Sequence, residues 1–152
     1  IDIGEAGNIH PYNKIDVGRR LALWALAKDY GKKELVYSGP LYRKHEITKS
    51  KVVVYFDHIG AGLMTGKKNE LEPVKETVGA KPTWVEVAGR DKKWHKADAE
   101  IKGDTVIVSS ADVPTPVAVR YAFNMNPQGC NLYNKSGLPA SPFISDLDML
   151  NE

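Results

Sequence analysis

The chain has 152 residues, enough for one compact domain or for a small domain joined to a piece of another. Its apolar share of 42% and charged share of 26% indicate a folded protein and argue against intrinsic disorder. The net charge of +2 and the scattered lysines argue against nucleic-acid binding, and no apolar run approaches the roughly 18 residues that span a bilayer.

The chain begins with a polar, glycine-containing stretch, residues 1–12, that predicts a loop. Ile1 is not an initiator methionine and lies within a patterned stretch, so we interpret it as an artificial or processing boundary. The absence of a leader sequence therefore carries no information about targeting.

A helix is predicted from Ile15 to Gly31. Asn13 has the right chemistry for its N-cap, Asp16 places negative charge in the first turn, and Gly31 is a typical helix stop. Its apolar residues fall on two opposite faces. A helix that is apolar on two sides is usually buried on two sides, so we expect it to pack between the β-rich remainder and a larger α/β body.

Most of the remaining chain predicts short strands separated by turns. A hairpin is expected over 42–57 around Lys49-Ser50, a strand over 83–88, a second hairpin over 94–109 around Lys102-Gly103, and a strand over 116–123. The tail from Asn124 is rich in proline and glycine and predicts irregular structure. This spacing favours a β-sandwich.

His10 is the leading candidate for chemistry, because an imidazole can take a proton from a hydroxyl nucleophile and return it to a leaving group. The non-catalytic alternative is that His10 is only a polar turn residue before Pro11. No serine lies in a Gly-x-Ser-x-Gly or Gly-Asp-Ser turn, and Ser109-Ser110 is a weak candidate. Cys130, the single cysteine, is more typical of inert packing than of a nucleophile.

Other candidate sites have weaker support. His45, His58 and His95 lack metal-ligand spacing, so a structural metal or none is expected in preference to a catalytic metal. Four aromatic residues on or beside strands suit either a core or a sugar-stacking platform, with the core favoured: Trp84, Trp94, Tyr121 and Phe123. Asn134-Lys135-Ser136 fits the N-glycosylation pattern, which often arises by chance.

Several motifs in one order resemble the sialate O-acetylesterases, members of the SGNH hydrolase superfamily. They are Gly7-Asn8-Ile9-His10-Pro11, Val17-Gly18-Arg19-Arg20-Leu21-Ala22, Tyr37-Ser38-Gly39-Pro40-Leu41-Tyr42, Phe56-Asp57-His58-Ile59-Gly60, Val87-Ala88-Gly89-Arg90-Asp91, Pro116-Val117-Ala118-Val119-Arg120-Tyr121 and Asn131-Leu132-Tyr133-Asn134. Together they cover almost the whole chain.

The resemblance implies a mainly β fold: a β-sandwich-like domain, residues 35–152, preceded by a loop and helix, residues 1–34, that form the end of an α/β SGNH hydrolase domain. It implies that the chain is the C-terminal portion of a periplasmic or secreted carbohydrate O-acetylesterase. The substrate would be O-acetylated sialic acid or a related glycan, and neither cofactor nor metal is implied. The partner would be the N-terminal catalytic portion of the same protein, so this chain alone is expected to be inactive.

By the same resemblance, His10 is the general base and then the general acid, and the serine and oxyanion donors lie upstream of Ile1. The superfamily often has an aspartate three residues before this histidine to orient its ring, but here that position is Gly7. Asn8, Glu5 or a backbone carbonyl would then orient His10, or the site works as a Ser–His dyad.

The alternative function is a non-catalytic β-sandwich module that binds carbohydrate or another chain. The missing nucleophile and the aromatic residues on the strands support it.

Overall fold

The computed structural model describes residues 1–150, except for the side chain of Leu150. It contains one α-helix, eleven strands and a C-terminal 3-10 turn. The helix α1 spans Lys14–Lys28. The strands are β1 (Leu41–Thr48), β2 (Lys51–Asp57), β3 (Leu63–Lys67), β4 (Lys75–Glu76), β5 (Val85–Ala88), β6 (Trp94–Lys96), β7 (Asp98–Lys102), β8 (Thr105–Ser109), β9 (Ala118–Tyr121), β10 (Leu132–Asn134) and β11 (Phe143–Ile144), and the 3-10 turn spans Leu147–Leu150.

The strands form three antiparallel sheets, ordered β1-β2-β8-β7, β10-β3-β4 and β11-β9-β5-β6. β2 shows why the sequence forms such strands, since Val52, Val54 and Phe56 are buried while the residues between them face outward. The main core joins these side chains to Val87 and other buried residues of the third sheet. The predicted mainly β fold with a single helix is confirmed, and its layering is compatible with a β-sandwich-like domain.

The first hairpin forms as predicted, with Thr48 paired to Lys51 and Lys49 in the left-handed conformation that the tight turn requires (φ of 57°). The second hairpin forms around Lys102-Gly103, but the strand predicted for residues 94–101 is in fact two strands. β6 pairs with β5 in the third sheet, whereas β7 pairs with β8 in the first. The chain therefore crosses between two sheets at Ala97, a step that the continuous apolar alternation concealed.

The prediction of an irregular tail is wrong in two places. Leu132–Asn134 forms β10 against β3, and Phe143–Ile144 forms β11 against β9. Both strands are too short to show a periodicity of their own, and their partners lie more than twenty residues away in sequence. The predicted strand 116–123 is also shorter, because Ala122 adopts a positive φ of 51° and ends β9 at Tyr121.

The N-cap prediction for α1 is confirmed, because Asn13 Oδ1 accepts a hydrogen bond from the backbone N–H of Asp16 at 3.0 Å. The helix ends at Lys28, before the predicted stop, and Gly31 has the expected positive φ of 69° two residues after the C-cap, Asp29. No residue of α1 is buried. One face contacts the β structure and the opposite face is exposed. No helix among residues 1–150 is long and apolar enough to cross a membrane.

Candidate functional site

The loop that carries His10 is held by a carboxylate within it. Glu5 Oε1 accepts a hydrogen bond from the backbone N–H of Tyr12 at 2.7 Å, and Glu5 Oε2 accepts a longer one from Asn8 Nδ2 at 3.4 Å. The backbone of the same segment closes on itself, since the N–H of Asn8 donates to the Glu5 carbonyl at 3.1 Å. Glu5 therefore draws the two ends of the turn together.

Asn8 fixes the backbone directly before His10. Its Oδ1 accepts a hydrogen bond from the His10 backbone N–H at 2.9 Å, an arrangement typical of an Asx turn. The His10 side chain is exposed, and Ile9 and Tyr12 on either side of it are 89% and 87% exposed. The His10 imidazole is therefore accessible to a second protein segment or to a ligand, while its backbone is held in place by Asn8.

The structure thus brings the three predicted site residues, His10, Asn8 and Glu5, into one turn. Within residues 1–150, the hydrogen bonds of Asn8 and Glu5 reach backbone groups and each other. They shape the loop, and a role for either in orienting the imidazole stays a prediction. At Gly7, where an aspartate was expected, an added Cβ would meet no atom within 4 Å.

The loop is followed by a polar anchor at the start of α1. Asn13 Nδ2 donates to Asp16 Oδ2 at 2.7 Å and to the Glu70 carbonyl at 3.0 Å. Lys68 Nζ lies 2.5 Å from Asp16 Oδ2, and the Lys68 side chain is only 7% exposed. Burial alone would raise the pKa of Asp16, but its bonds to Lys68 and Asn13 prevail and lower it.

The loop is preceded by a second anchor, the Asp2–Arg20–Tyr133 cluster. The Arg20 guanidinium donates to both Asp2 carboxylate oxygens, at 2.7 and 2.8 Å, and the Tyr133 hydroxyl donates to Asp2 Oδ2 at 3.1 Å. The Asp2 side chain is 2% exposed. Burial disfavours the charged carboxylate, but Arg20 outweighs it and lowers the pKa of Asp2, while burial and this carboxylate raise the pKa of Tyr133.

An aromatic contact joins the helix to the β structure further along. The Trp24 ring meets the Tyr37 ring edge-on at 4.8 Å between centroids, and Tyr37 meets His58 in the same way at 5.1 Å. Lys28 Nζ lies 4.7 Å from the Tyr37 ring centroid. The sequence did not predict these pairs or the bonds of the anchors to Tyr133, Lys68 and Glu70, because they join different elements and have no local signature.

The two other nucleophile candidates, Cys130 and Ser110, are engaged in the β structure. Cys130 is buried, and burial raises the pKa of its thiol, which disfavours the reactive thiolate. Ser110 Oγ donates to the Lys96 carbonyl at 2.9 Å. Among residues 1–150, no three His, Cys, Asp or Glu side chains form a group that would hold a metal ion.

The four aromatic residues separate into two kinds. Tyr121 is in the core at 1% exposure, as favoured, but Trp84 and Phe123 are 38% and 44% exposed. Trp94 is half-buried, and the Arg120 guanidinium lies over both the Trp94 and Phe123 rings, at 4.4 and 5.2 Å from their centroids. Asn134 is fully buried, so this conformation does not present it for glycosylation.

Two open cavities flank Asp2, with volumes of about 450 and 440 Å³. Lys68 lines both, Tyr133 lines the first, and Tyr12 lines the second. His10 lines neither. The described residues therefore present the histidine outside these two clefts.

Comparison with known proteins gives consistent matches. An alignment that covers 93% of the chain is 33% identical to a sialate O-acetylesterase of Mus musculus, and one that covers 91% is 30% identical to that of Homo sapiens. A crystal structure described as a novel carbohydrate acetylesterase from Xanthomonas citri superposes with a TM-score of 0.85 and 42% identity over 97% of the chain.

The chain is related to the sialate O-acetylesterases. The resemblance seen in the sequence motifs is thereby confirmed. The chain spans only about a quarter of the length of these curated relatives, 25% and 26%, and 31% of the Xanthomonas citri structure. No protein-family model matches it.

Proposed function

We propose that this chain is the C-terminal portion of a carbohydrate O-acetylesterase that removes acetyl groups from O-acetylated sialic acid or a related glycan. The observation that carries the proposal is a match over more than nine tenths of the chain to proteins named as sialate O-acetylesterases and as a carbohydrate acetylesterase. Because the chain spans only a part of each relative, the nucleophilic serine and the oxyanion donors belong to the remainder of the protein.

In this proposal His10 is the general base and general acid. Its imidazole accepts the proton of the serine hydroxyl as the serine oxygen attacks the acetyl carbonyl, and it then gives that proton to the departing sugar oxygen. In the second half the imidazole takes a proton from the water that attacks the acetyl-serine ester and gives it to the serine oxygen as that bond breaks, which releases acetate and restores the serine hydroxyl. The exposed position of His10 on a backbone fixed by Asn8 supports this role.

The reaction calls for no cofactor. The charge that develops on the carbonyl oxygen is stabilised by oxyanion donors, which do the electrostatic work without a metal. Asn8 or Glu5 is the proposed orienting partner of the imidazole, and both side chains also hold the turn through their hydrogen bonds.

The first 34 residues form the end of the catalytic domain in this proposal, and residues 35–152 form the β-domain. The free face of α1 supports the division, because Leu21 is 66% exposed and Val17 is 37% exposed. Gly18, Ala22 and Ala25 recur at helical spacing on that face and would let another element approach closely. The N-terminal catalytic portion is its proposed occupant, and the whole protein is periplasmic or secreted.

A second candidate function is a non-catalytic module that binds carbohydrate. Trp84 and Phe123, which lie just outside β5 and β9 and are partly exposed, favour it, because exposed aromatic rings can stack on sugar faces. Isothermal titration of the chain with a glycan panel separates the two functions. Binding that is lost in Trp84→Ala would favour the module.

The direct test compares the isolated chain with the full-length protein that contains it. We expect the full-length protein to release acetate from O-acetylated sialosides and a fluorophosphonate to label one serine outside these 152 residues. The isolated chain should do neither. Acetate release by the isolated chain that the reagent abolishes would contradict the proposal.

A further inference from the structure

The two anchors fix the His10 loop from both sides. Asp2 lies eight residues before His10, and Asn13 and Asp16 lie just after it. Both anchors reach the β-domain. Asp2 is bonded to Tyr133 on β10, and the Asn13–Asp16 pair is bonded to Lys68 and to the Glu70 carbonyl, directly after β3.

The two contact points on the β-domain are themselves joined. β10 pairs with β3, with Tyr133 opposite Met64, so Tyr133 and Lys68 belong to one sheet and to the segment that leaves it. Tyr133 is 1% exposed and its ring packs beside Gly66, where an added Cβ would lie 3.2 Å from a ring carbon. The hydroxyl that bonds Asp2 is therefore presented by a rigid part of the molecule.

Between the anchors, the loop is bonded mainly within itself, through Glu5 and Asn8. A segment whose interior is self-bonded moves as a unit when its attachment points move. The position of the His10 imidazole is then set by the sheet that carries the anchors.

We infer that Asp2, Arg20 and Tyr133 are positioning residues for the catalytic histidine, so that the β-domain takes part in catalysis by fixing where His10 meets the serine. This rests on the proposed function. Asp2 accepts three short hydrogen bonds while almost fully buried, and its two donors come from the helix behind the loop and from the β-domain. A charge-assisted bidentate pair gives direction as well as energy, which suits a positioning role.

The test uses the full-length enzyme and the variants Tyr133→Phe and Arg20→Lys. Tyr133→Phe removes one hydroxyl and keeps the packed ring, and Arg20→Lys keeps the charge but loses the bidentate geometry. We expect kcat to fall about tenfold or more with little change in KM, because small displacements of a reacting group cost rate. A role confined to stability would lower the melting temperature and leave kcat unchanged.

A matched control separates position from stability. Val108→Ala removes core volume on β8, away from the anchors, and should lower the melting temperature without affecting kcat below that temperature. If Val108→Ala lowers kcat as much as Tyr133→Phe does at equal loss of stability, the inference is overturned.

A double-mutant cycle with His10→Ala decides whether the cluster acts through the histidine. If it does, Tyr133→Phe lowers the residual rate of the His10→Ala enzyme by less than about twofold. Equal losses in both backgrounds would overturn the inference while leaving the proposed function intact. If His10→Ala alone retains full activity, the proposed function itself fails.

Discussion

Asn134 shows how one buried polar side chain can organise three loops. It is fully buried, and its Nδ2 donates to the carbonyls of Ser38 and His58, each at 3.0 Å. Its Oδ1 accepts from the backbone N–H groups of Ser136 and Leu138, at 3.2 and 3.1 Å. The amide thus has all the partners that its chemistry allows.

We predict that Asn134→Ala lowers the free energy of unfolding by about 3 kcal/mol, because two buried backbone groups, of Ser38 and Leu138, and two partly buried ones, of His58 and Ser136, lose their partners. Urea denaturation of the isolated chain measures this. Asn69→Ala, at an exposed position, is the matched control and should change the stability by less than about 0.5 kcal/mol. A loss for Asn134→Ala no larger than that of the control would contradict the prediction.

Asp2 gives the chain a stability that depends on pH. Its pKa is lower in the folded chain than the ordinary value of 3.8, so the folded state favours the ionised carboxylate. The stabilisation is therefore fully present above the unfolded-state pKa and is lost as the pH falls through the folded-state pKa. Asp16 shifts in the same direction, so the two carboxylates add.

We predict that the melting temperature is flat from pH 7 to about pH 5 and falls below about pH 4. Asp2→Asn should lower it at neutral pH and make the acid-side decline shallower. Asp98→Asn, at a side chain that is 77% exposed, should leave the decline as it is in the native chain. An unchanged acid-side slope in Asp2→Asn would show that Asp2 is not a source of the pH dependence.

The helix α1 has apolar residues on two faces, but the described structure covers only one of them. One face contacts the β-domain directly through Asp16 and Trp24, and indirectly through Arg20, which bonds Asp2, yet no residue of the helix is buried. Its other face is apolar and free. Exposed apolar residues at helical spacing indicate a surface that another element covers.

We predict that Leu21→Lys changes the stability of the isolated chain by less than about 0.5 kcal/mol, since Leu21 is 66% exposed there. In the full-length protein the same substitution should lower the melting temperature by several degrees or more, because a buried face would then receive an unpaired charge. Differential scanning calorimetry of both forms measures the difference.

The control for that experiment is Ile47→Lys, at a position 47% exposed on the edge strand β1. It should have little effect in either form. If Leu21→Lys is as mild as Ile47→Lys in the full-length protein, the catalytic portion does not cover this face of α1.

Among the helices and strands, features that depend on neighbouring residues were predictable from the sequence, and features that depend on distant residues were not. The Asn13 cap and the Lys49-Ser50 turn depend on neighbours within a few residues, so sequence alone was sufficient for both. β10 forms only because β3 and Tyr121 lie beside it, and its three residues carry no pattern of their own. The prediction of one continuous strand through Ala97 was wrong. Partly or fully buried residues lie on both sides of Ala97, so the pattern does not show where the chain passes from one sheet to the other.

At the scale of the whole molecule, the candidate site was predictable only in part. His10, Asn8 and Glu5 lie within one turn and could be identified together from the sequence. The Asp2–Tyr133 hydrogen bond joins residues 131 positions apart, and pairing of that kind has no local signature. The resemblance to the sialate O-acetylesterases suggested the proposed function, and the structure added the hydrogen bonds that tie the His10 loop to the β structure.

The proposed function depends most on His10 as the general base. The measurement that tests it most directly is acetate release by the full-length protein with His10→Ala, with His95→Ala on β6 as the matched histidine control. We predict that His10→Ala lowers kcat by about a thousandfold or more with KM nearly unchanged, and that His95→Ala keeps native kcat. A His10→Ala enzyme with kcat within about tenfold of the native value would contradict the account.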